Sequence, residues 1–140
     1  MSLWVLDTDH VSLLQQVHPV VVQRVATVNP EDIAVTVITA EEQMRGWLNA
    51  IGRTSQSDRV LWAYAGLRTA LDYFSSSNLL NFTPAAQTYY VELRRQKIRI
   101  GTQDLRIASI VLSVNGILVT RNRRDFSQVP NLMLEDWTIA

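Results

Sequence analysis

IGTQDLRIASIVLSVNGILVTRNRRDF, residues 100–126, is the stretch whose reading decides the fold. Asp104 stands in the first turn of a helix, with Ile107, Ala108 and Val111 following at i+3, i+4 and i+7. That spacing lays the carboxylate at the top of an apolar stripe. Asn115-Gly116 closes the helix with residues that tolerate left-handed backbone. Ile117 to Val119 is a short, wholly apolar run, as in a strand covered on both faces. It ends at Thr120, and the polar run RNRRD carries Asp125 just beyond the strand's carboxyl end. A helix followed directly by a buried strand is half of a βαβ unit and predicts a parallel sheet. In such sheets ligands bind beyond the carboxyl ends of the strands, where the strand order reverses. Two acids fall at that edge.

Composition sets the outer bounds. A chain of 140 residues, 47% of them apolar, is enough to bury a core without disulfides or a structural metal, and it reads as one domain over 1–140. No segment has the length and apolarity of a membrane span, and no basic region followed by an apolar stretch opens the chain. The lack of cysteine excludes disulfides and thiol catalysis and fits a cytoplasmic protein. A net charge of +0 gives no bulk argument for nucleic acid or membrane. Lys97 is the only lysine, so arginine supplies the other basic groups. Arginine suits phosphate through its planar fork, although biased composition accounts for the preference equally well.

Working outward, Leu3 to Leu6 reads as a strand ending in Asp7-Thr8-Asp9, with Thr8 or Asp9 as candidate cap of a helix containing Val11, Leu13 and Leu14. Pro19 opens a second helix running to Val28, and Ile33 to Val37 reads as a second strand. Thr39 opens a helix with Met44, Trp47, Leu48 and Ile51 on one face. Val60, Leu61, Tyr64, Leu67, Leu71 and Phe74 give the inward stripe of a long helix stopped at Ser75-Ser76-Ser77. Leu79 to Phe82 is a third strand, Thr83-Pro84 starts another helix, and Leu132 to Leu134 adds an edge strand. The order predicts a three-layer α/β/α sandwich around a central parallel sheet of four to five strands.

Four acids then fall on one edge of that sheet: Asp7, Glu42, Asp104 and Asp125. Carboxylates without histidine or cysteine make a hard-oxygen site, suited to Mg²⁺ or Mn²⁺ rather than zinc. Acids crowded in one pocket repel each other, and a divalent cation is their natural counterion. Each has a duller reading. Asp7 can cap a helix, Thr39-x-x-Glu42 matches a capping box, Asp104 complements a helix dipole, and Asp125 suits an Asx turn. Periodicity places Glu41 nearer the apolar face than Glu42, leaving both open. Four accidents at one sheet edge are less probable than one site.

The motifs LDTDH (6–10), VITAEEQMRG (37–46), IGTQDLRIAS (100–109), VTRNRRDF (119–126) and LEDW (134–137) resemble those of PIN domains of the VapC-like toxin group, nearly end to end. The resemblance implies a Mg²⁺-dependent endoribonuclease that is neutralised by a small antitoxin and forms a homodimer. It implies Asp7, Glu42 and Asp104 as metal ligands, Glu42 being the acid four residues before Gly46. It implies a fourth acid either at the position held here by Asn122 or at Asp125, of which Asp125 is the acid present, with Asn122 as a polar oxygen donor and Thr120 orienting a water or that acid through its hydroxyl. Arg121, Arg123 and Arg124 flank the site as candidates for the RNA backbone, with a solvated loop as the equal alternative, and Arg45 is a further candidate.

Two other readings compete. Asp7-Thr8-Asp9-His10-Val11 fits the DxDxT/V pattern of haloacid-dehalogenase-like phosphatases, with Asp7 as nucleophile, Thr39 as the hydroxyl and Lys97 as the required lysine. The paired acids that class needs after its fourth strand are absent. A non-catalytic PIN-like binding module is the other class, and the retained acids argue against it. The second helix (Val20, Val21, Val22, Val25) with Trp47, Trp62 and Tyr73 offers apolar surface for a partner or for the core. His10 reads as a helix residue rather than a catalytic base.

Overall fold

The computed structural model describes residues 2–139. Five short strands, β1 (Trp4–Leu6), β2 (Ile33–Thr36), β3 (Leu79–Leu80), β4 (Ile117–Val119) and β5 (Met133–Glu135), pair wholly in parallel in the order β3-β2-β1-β4-β5. Seven helices surround them: α1 (Thr8–Gln15), α2 (Pro19–Ala26), α3 (Val37–Arg53), α4 (Ser57–Ser75), α5 (Pro84–Arg95), α6 (Thr102–Ser113) and α7 (Arg123–Phe126). The chain runs from β1 outward to β2 and β3, then crosses back to lay β4 on the other side of β1. The order therefore reverses between β1 and β4, where Leu6 registers with Val119.

Strand alternation divides the core in two. Val5, Ala34 and Leu118 face α5 and α6, packing with Ala86, Leu93, Leu105 and Ile107. Leu6, Val35 and Val119 face the other way, onto Val11, Ala70, Phe74 and Trp137. Because successive side chains of a strand point to opposite faces, this is the three-layer sandwich expected from the sequence. Each fully buried aliphatic side chain contributes about 1.5–3 kcal/mol. Among the described residues no helix is long and apolar enough to cross a membrane.

Several local expectations change. β2 stops at Thr36, not Val37, and α3 starts there, with the Thr36 hydroxyl accepting from the Thr39 N–H at 3.2 Å. Thr39 is thus a buried first-turn residue rather than the cap, and the Thr39–Glu42 capping box does not form. Asp7, rather than Thr8 or Asp9, caps α1. Asn115 takes the left-handed backbone (φ 56°) that ends α6, whereas Gly116 does not. A Cβ at Gly116 would lie 3.1 Å from the Leu3 carbonyl oxygen, so close backbone approach is its role. The RNRRD segment is not an open loop, because residues 123–126 form the helical turn α7, capped by Asn122.

The long helix α4 turns a different face inward. Leu61 (70% exposed), Tyr64 (55%) and Leu71 (49%) point outward, while Ala63, Ala70 and Phe74 are buried. Small residues let α3 approach closely: a Cβ at Gly66 would sit 2.3 Å from the Trp47 ring, which stands edge-on to Trp62 with centroids 5.0 Å apart. Of the apolar surface offered by the sequence, Val21 is fully buried, and Val25, Trp47 and Tyr73 pack against the core. Trp62 is 53% exposed.

His10 ties the chain's end to its beginning. It is fully buried, and its Nε2 accepts from the Trp137 N–H at 3.1 Å, which leaves Nδ1 to donate to Asp9 Oδ1 at 2.8 Å. His10→Ala strands a buried backbone donor and leaves a cavity. It should cost about 2–4 kcal/mol in urea unfolding, whereas a purely surface histidine would cost almost nothing.

Candidate active site

β1 and β4 present Asp7 and Thr120 side by side at the point where the strand order reverses. The Asp7 N–H donates to Val119 O (2.9 Å) and the Thr120 N–H to Glu135 O (2.8 Å), so both residues are held by continuation of the sheet's ladder. Asp7 is 6% exposed. Its Oδ1 accepts from the Thr8 N–H at 2.8 Å and its Oδ2 from the Thr120 hydroxyl at 2.7 Å. Burial dominates its electrostatics and, helped by Asp9 and Asp104, pushes its pKa up to about 7, although Thr120 and the Thr8 N–H pull the other way.

The Thr120 hydroxyl also accepts from the Asn122 N–H at 3.0 Å. Asn122 in turn accepts from the Asp125 N–H (3.3 Å) and donates through Nδ2 to Asp125 Oδ2 (3.1 Å). The four residues form one chain of contacts, Asp7–Thr120–Asn122–Asp125, that follows the end of β4 into α7.

From the other side α3 brings Glu42. Its Oε1 accepts from the Thr8 hydroxyl at 2.9 Å, and Thr8 lies 3.0 Å from the buried Thr39 hydroxyl. Because Thr8 donates to Glu42, Thr39 must be the donor to Thr8. Glu41 turns outward, accepting from Arg45 and, across to α6, from Gln103 Nε2 at 2.8 Å. Glu42 is therefore the inward acid of the pair. Arg45 is exposed and pairs with Glu41.

Asp104, in the first turn of α6, is half-buried, and its pKa is raised by burial first, then by Glu42, Asp125 and Asp9. Asp104 thus lies within the field of the other acids. Asp9, read from the sequence as a candidate cap and not as a site acid, also lies here. Its Oδ1 takes the His10 Nδ1–H and its Oδ2 takes the Arg121 N–H at 3.0 Å, so it braces α1 against the end of β4. Arg121 itself is exposed, with Nε 3.9 Å from Asp9. Arg123 and Arg124 are also exposed, at the start of α7.

Among the described residues, no three His, Cys, Asp or Glu side chains stand in a ready-made metal cage. The donor chemistry nevertheless fits a hard cation. The cluster offers carboxylate, hydroxyl and amide oxygens, and burial, then the neighbouring acids, raise the pKa of Asp7 and of Asp104.

No protein-family model matches the chain. Ribonuclease VapC1 of Haemophilus influenzae (strain R2866) is 30% identical over 140 residues, covering 97% of this chain and 98% of that protein. Ribonuclease VapC2 of Rickettsia felis is 39% identical over 75 residues, which span 50% of this chain and 56% of that protein. The solved structure of VapBC-1 from nontypeable H. influenzae superimposes with a TM-score of 0.77 at 25% identity, over 97% of this chain and 98% of that one. The chain belongs to the VapC family of PIN domains.

The site has a thermodynamic signature. Asp7 titrates near 7 in the fold, against 3.8 for a free aspartate. The folded state thus binds its proton more tightly, and the stability this confers is complete below about pH 4 and lost as pH rises through 7. At pH 8 in chelator the ionised group costs on the order of 4 kcal/mol. Asp7→Asn should therefore melt at higher temperature than wild type at pH 8 in chelator, the gap closing at pH 4. Equal melting at both pH values would show that Asp7 carries no such penalty.

Proposed function

We propose that the chain is a metal-dependent endoribonuclease, the toxin of a toxin–antitoxin pair, acting in the cytoplasm as a single domain over its 140 residues. The observation that carries this reading is the convergence of Asp7, Glu42, Asp104 and Asp125 at the strand-order reversal, with no arginine or lysine buried beside them among the described residues. Family membership supplies the reaction class: the relatives named above are ribonucleases.

Asp7, Glu42 and Asp104 would hold Mg²⁺ or Mn²⁺, with Asp125 as fourth acid and Asn122 beside it. When bound, the cation supplies Lewis acidity toward a phosphodiester oxygen and an attacking water. The protein's part is positional. Thr120 fixes one oxygen of Asp7, and the Thr8 N–H fixes the other. The Thr8 hydroxyl aims Glu42, and Asn122 holds Asp125 at the mouth. A carboxylate in this cluster accepts the proton that the attacking water gives up. Arg121, Arg123 and Arg124, exposed beside the cluster, suit contacts with RNA phosphates.

The partners follow from the same comparison. H. influenzae VapBC-1 and R. felis VapBC2, the latter solved on a fragment of its promoter DNA, are relatives of this chain in VapBC form. A cognate antitoxin is accordingly proposed here, together with a homodimer. The outward apolar residues Leu48, Leu61, Trp62, Tyr64 and Leu71 on α3 and α4 provide surface for such contacts. The phosphatase reading loses its footing. Both oxygens of Asp7 are engaged by Thr8 and Thr120, and Lys97 is exposed at the end of α5 with no contact to the cluster.

Purified protein should cut RNA with Mg²⁺ and stop in chelator. Asp104→Asn should lose at least about 100-fold in rate while melting no lower than wild type. Cutting that survives both chelator and Asp104→Asn would refute the reading.

A further inference from the structure

Although the chain as a whole is neutral, five of its 13 basic residues (Arg94, Arg95, Lys97, Arg99 and Arg106) fall between 94 and 106, against a single acid, Asp104. Two of them are organised on one aromatic ring. The Arg94 guanidinium lies 5.8 Å from the Tyr90 centroid and that of Arg106 lies 5.6 Å from it. Arg94 Nη1 also donates to the Tyr90 hydroxyl at 3.0 Å. Tyr90 is itself steadied by Phe82, edge-on at 6.2 Å. Among the described residues neither Arg94, Lys97, Arg99 nor Arg106 is in an ion pair, whereas Arg95 is taken by Glu92.

This strip reaches α3 beside the candidate active site, at Glu41, the outward neighbour of Glu42. Arg106 Nη1 donates to Gln103 Oε1 at 2.8 Å, and Gln103 Nε2 donates to Glu41 on α3 at 2.8 Å. Gln103 and Arg106 bracket Asp104 in the first turn and a half of α6. The line therefore runs from Glu41, next to Glu42 in α3, over α6 to Tyr90 and Arg94 on α5.

We propose that Arg106 and Arg94, stacked on Tyr90, form a phosphate-binding strip that carries the RNA backbone of the substrate to the carboxylate cluster. The proposal rests on the ribonuclease reading given above. Its physical basis is charge. A cluster of carboxylates repels a polyanion, so substrate must be drawn in by cations next to the cluster rather than inside it. Guanidinium suits this role because its planar fork binds two phosphate oxygens at once. Stacking on Tyr90 holds that fork in place before binding, so less freedom is lost on contact. An acidic polypeptide would answer the same charge, but only RNA also has reason to continue into the cluster.

The test is binding of a labelled, mixed-sequence single-stranded RNA to the full chain in chelator, measured across salt concentrations. Each phosphate contact on single-stranded nucleic acid adds about 0.7 to the slope of log affinity against log salt. Arg94→Gln/Arg106→Gln should lower the slope by about 1.4 and weaken binding evenly across sequences. Arg94→Gln alone, at an exposed position, should lower it by about 0.7, so a folding defect at Arg106 leaves the test intact. Arg68→Gln, on α4 and paired with Asp72, should leave it unchanged. A wild-type slope in the double variant overturns the strip, and an acidic polypeptide as the true occupant would give that result. Cleavage of RNA by wild type with Mg²⁺ is scored separately. Cleavage with an unchanged slope sinks the strip alone, and absence of RNA binding by wild type sinks both.

Discussion

Like charges gathered at the carboxyl edge of a parallel sheet push one another apart, and the backbone of this protein is what holds them together. Asp7 has no freedom to retreat. Its N–H belongs to the ladder with β4, its carboxylate receives Thr8 and Thr120, and it is 6% exposed. Asp104 is fixed by α6, whose Leu105, Ile107, Ala108 and Val111 are buried against the sheet. Repulsion that the side chains cannot relieve by moving is relieved by raised pKa values or by a cation.

The hydrogen bonds around the cluster are arranged in two arms. One runs along the end of β4, from Asp7 through Thr120 and Asn122 to Asp125. The other runs from the end of β2 through Thr39 and Thr8 to Glu42. Both arms are built of neutral hydroxyl and amide groups, so they orient the carboxylates without neutralising them. Asp9 joins the arms from behind by taking the His10 ring and the Arg121 N–H.

Periodicity made much of this legible. The α6 stripe, the apolar β4 run and the acids at the strand ends are local patterns, whereas the strand order depends on which distant strands pair and came only from the structure. Choices that depended on distant partners were not legible. Thr39 matched a capping box with Glu42, but β2 ends at Thr36, which caps α3 instead. Glu42 was separated from Glu41 by Thr8, 34 residues away, and Asp9 acquired its role from Arg121, 112 residues away. In α4 the expected inward stripe gave way to Ala63, Gly66 and Ala70, because close approach by Trp47 favoured small residues over large ones. The Asn122-x-x-Asp125 pattern was a helix cap read as a loop, a signal present in the sequence at short range.

We propose that the carboxylates are held together for a cation and that Asp7, its pKa raised by burial to about 7, gives up a proton when one binds. Calorimetric titration with Mn²⁺ at about pH 6.5, in buffers of differing ionisation enthalpy, measures cation binding and proton release together. The account predicts binding that expels a large fraction of one proton, with the release vanishing near pH 8.5 and abolished by Asp7→Asn. Binding without proton release at the lower pH, or identical titrations for wild type and Asp7→Asn, would contradict it.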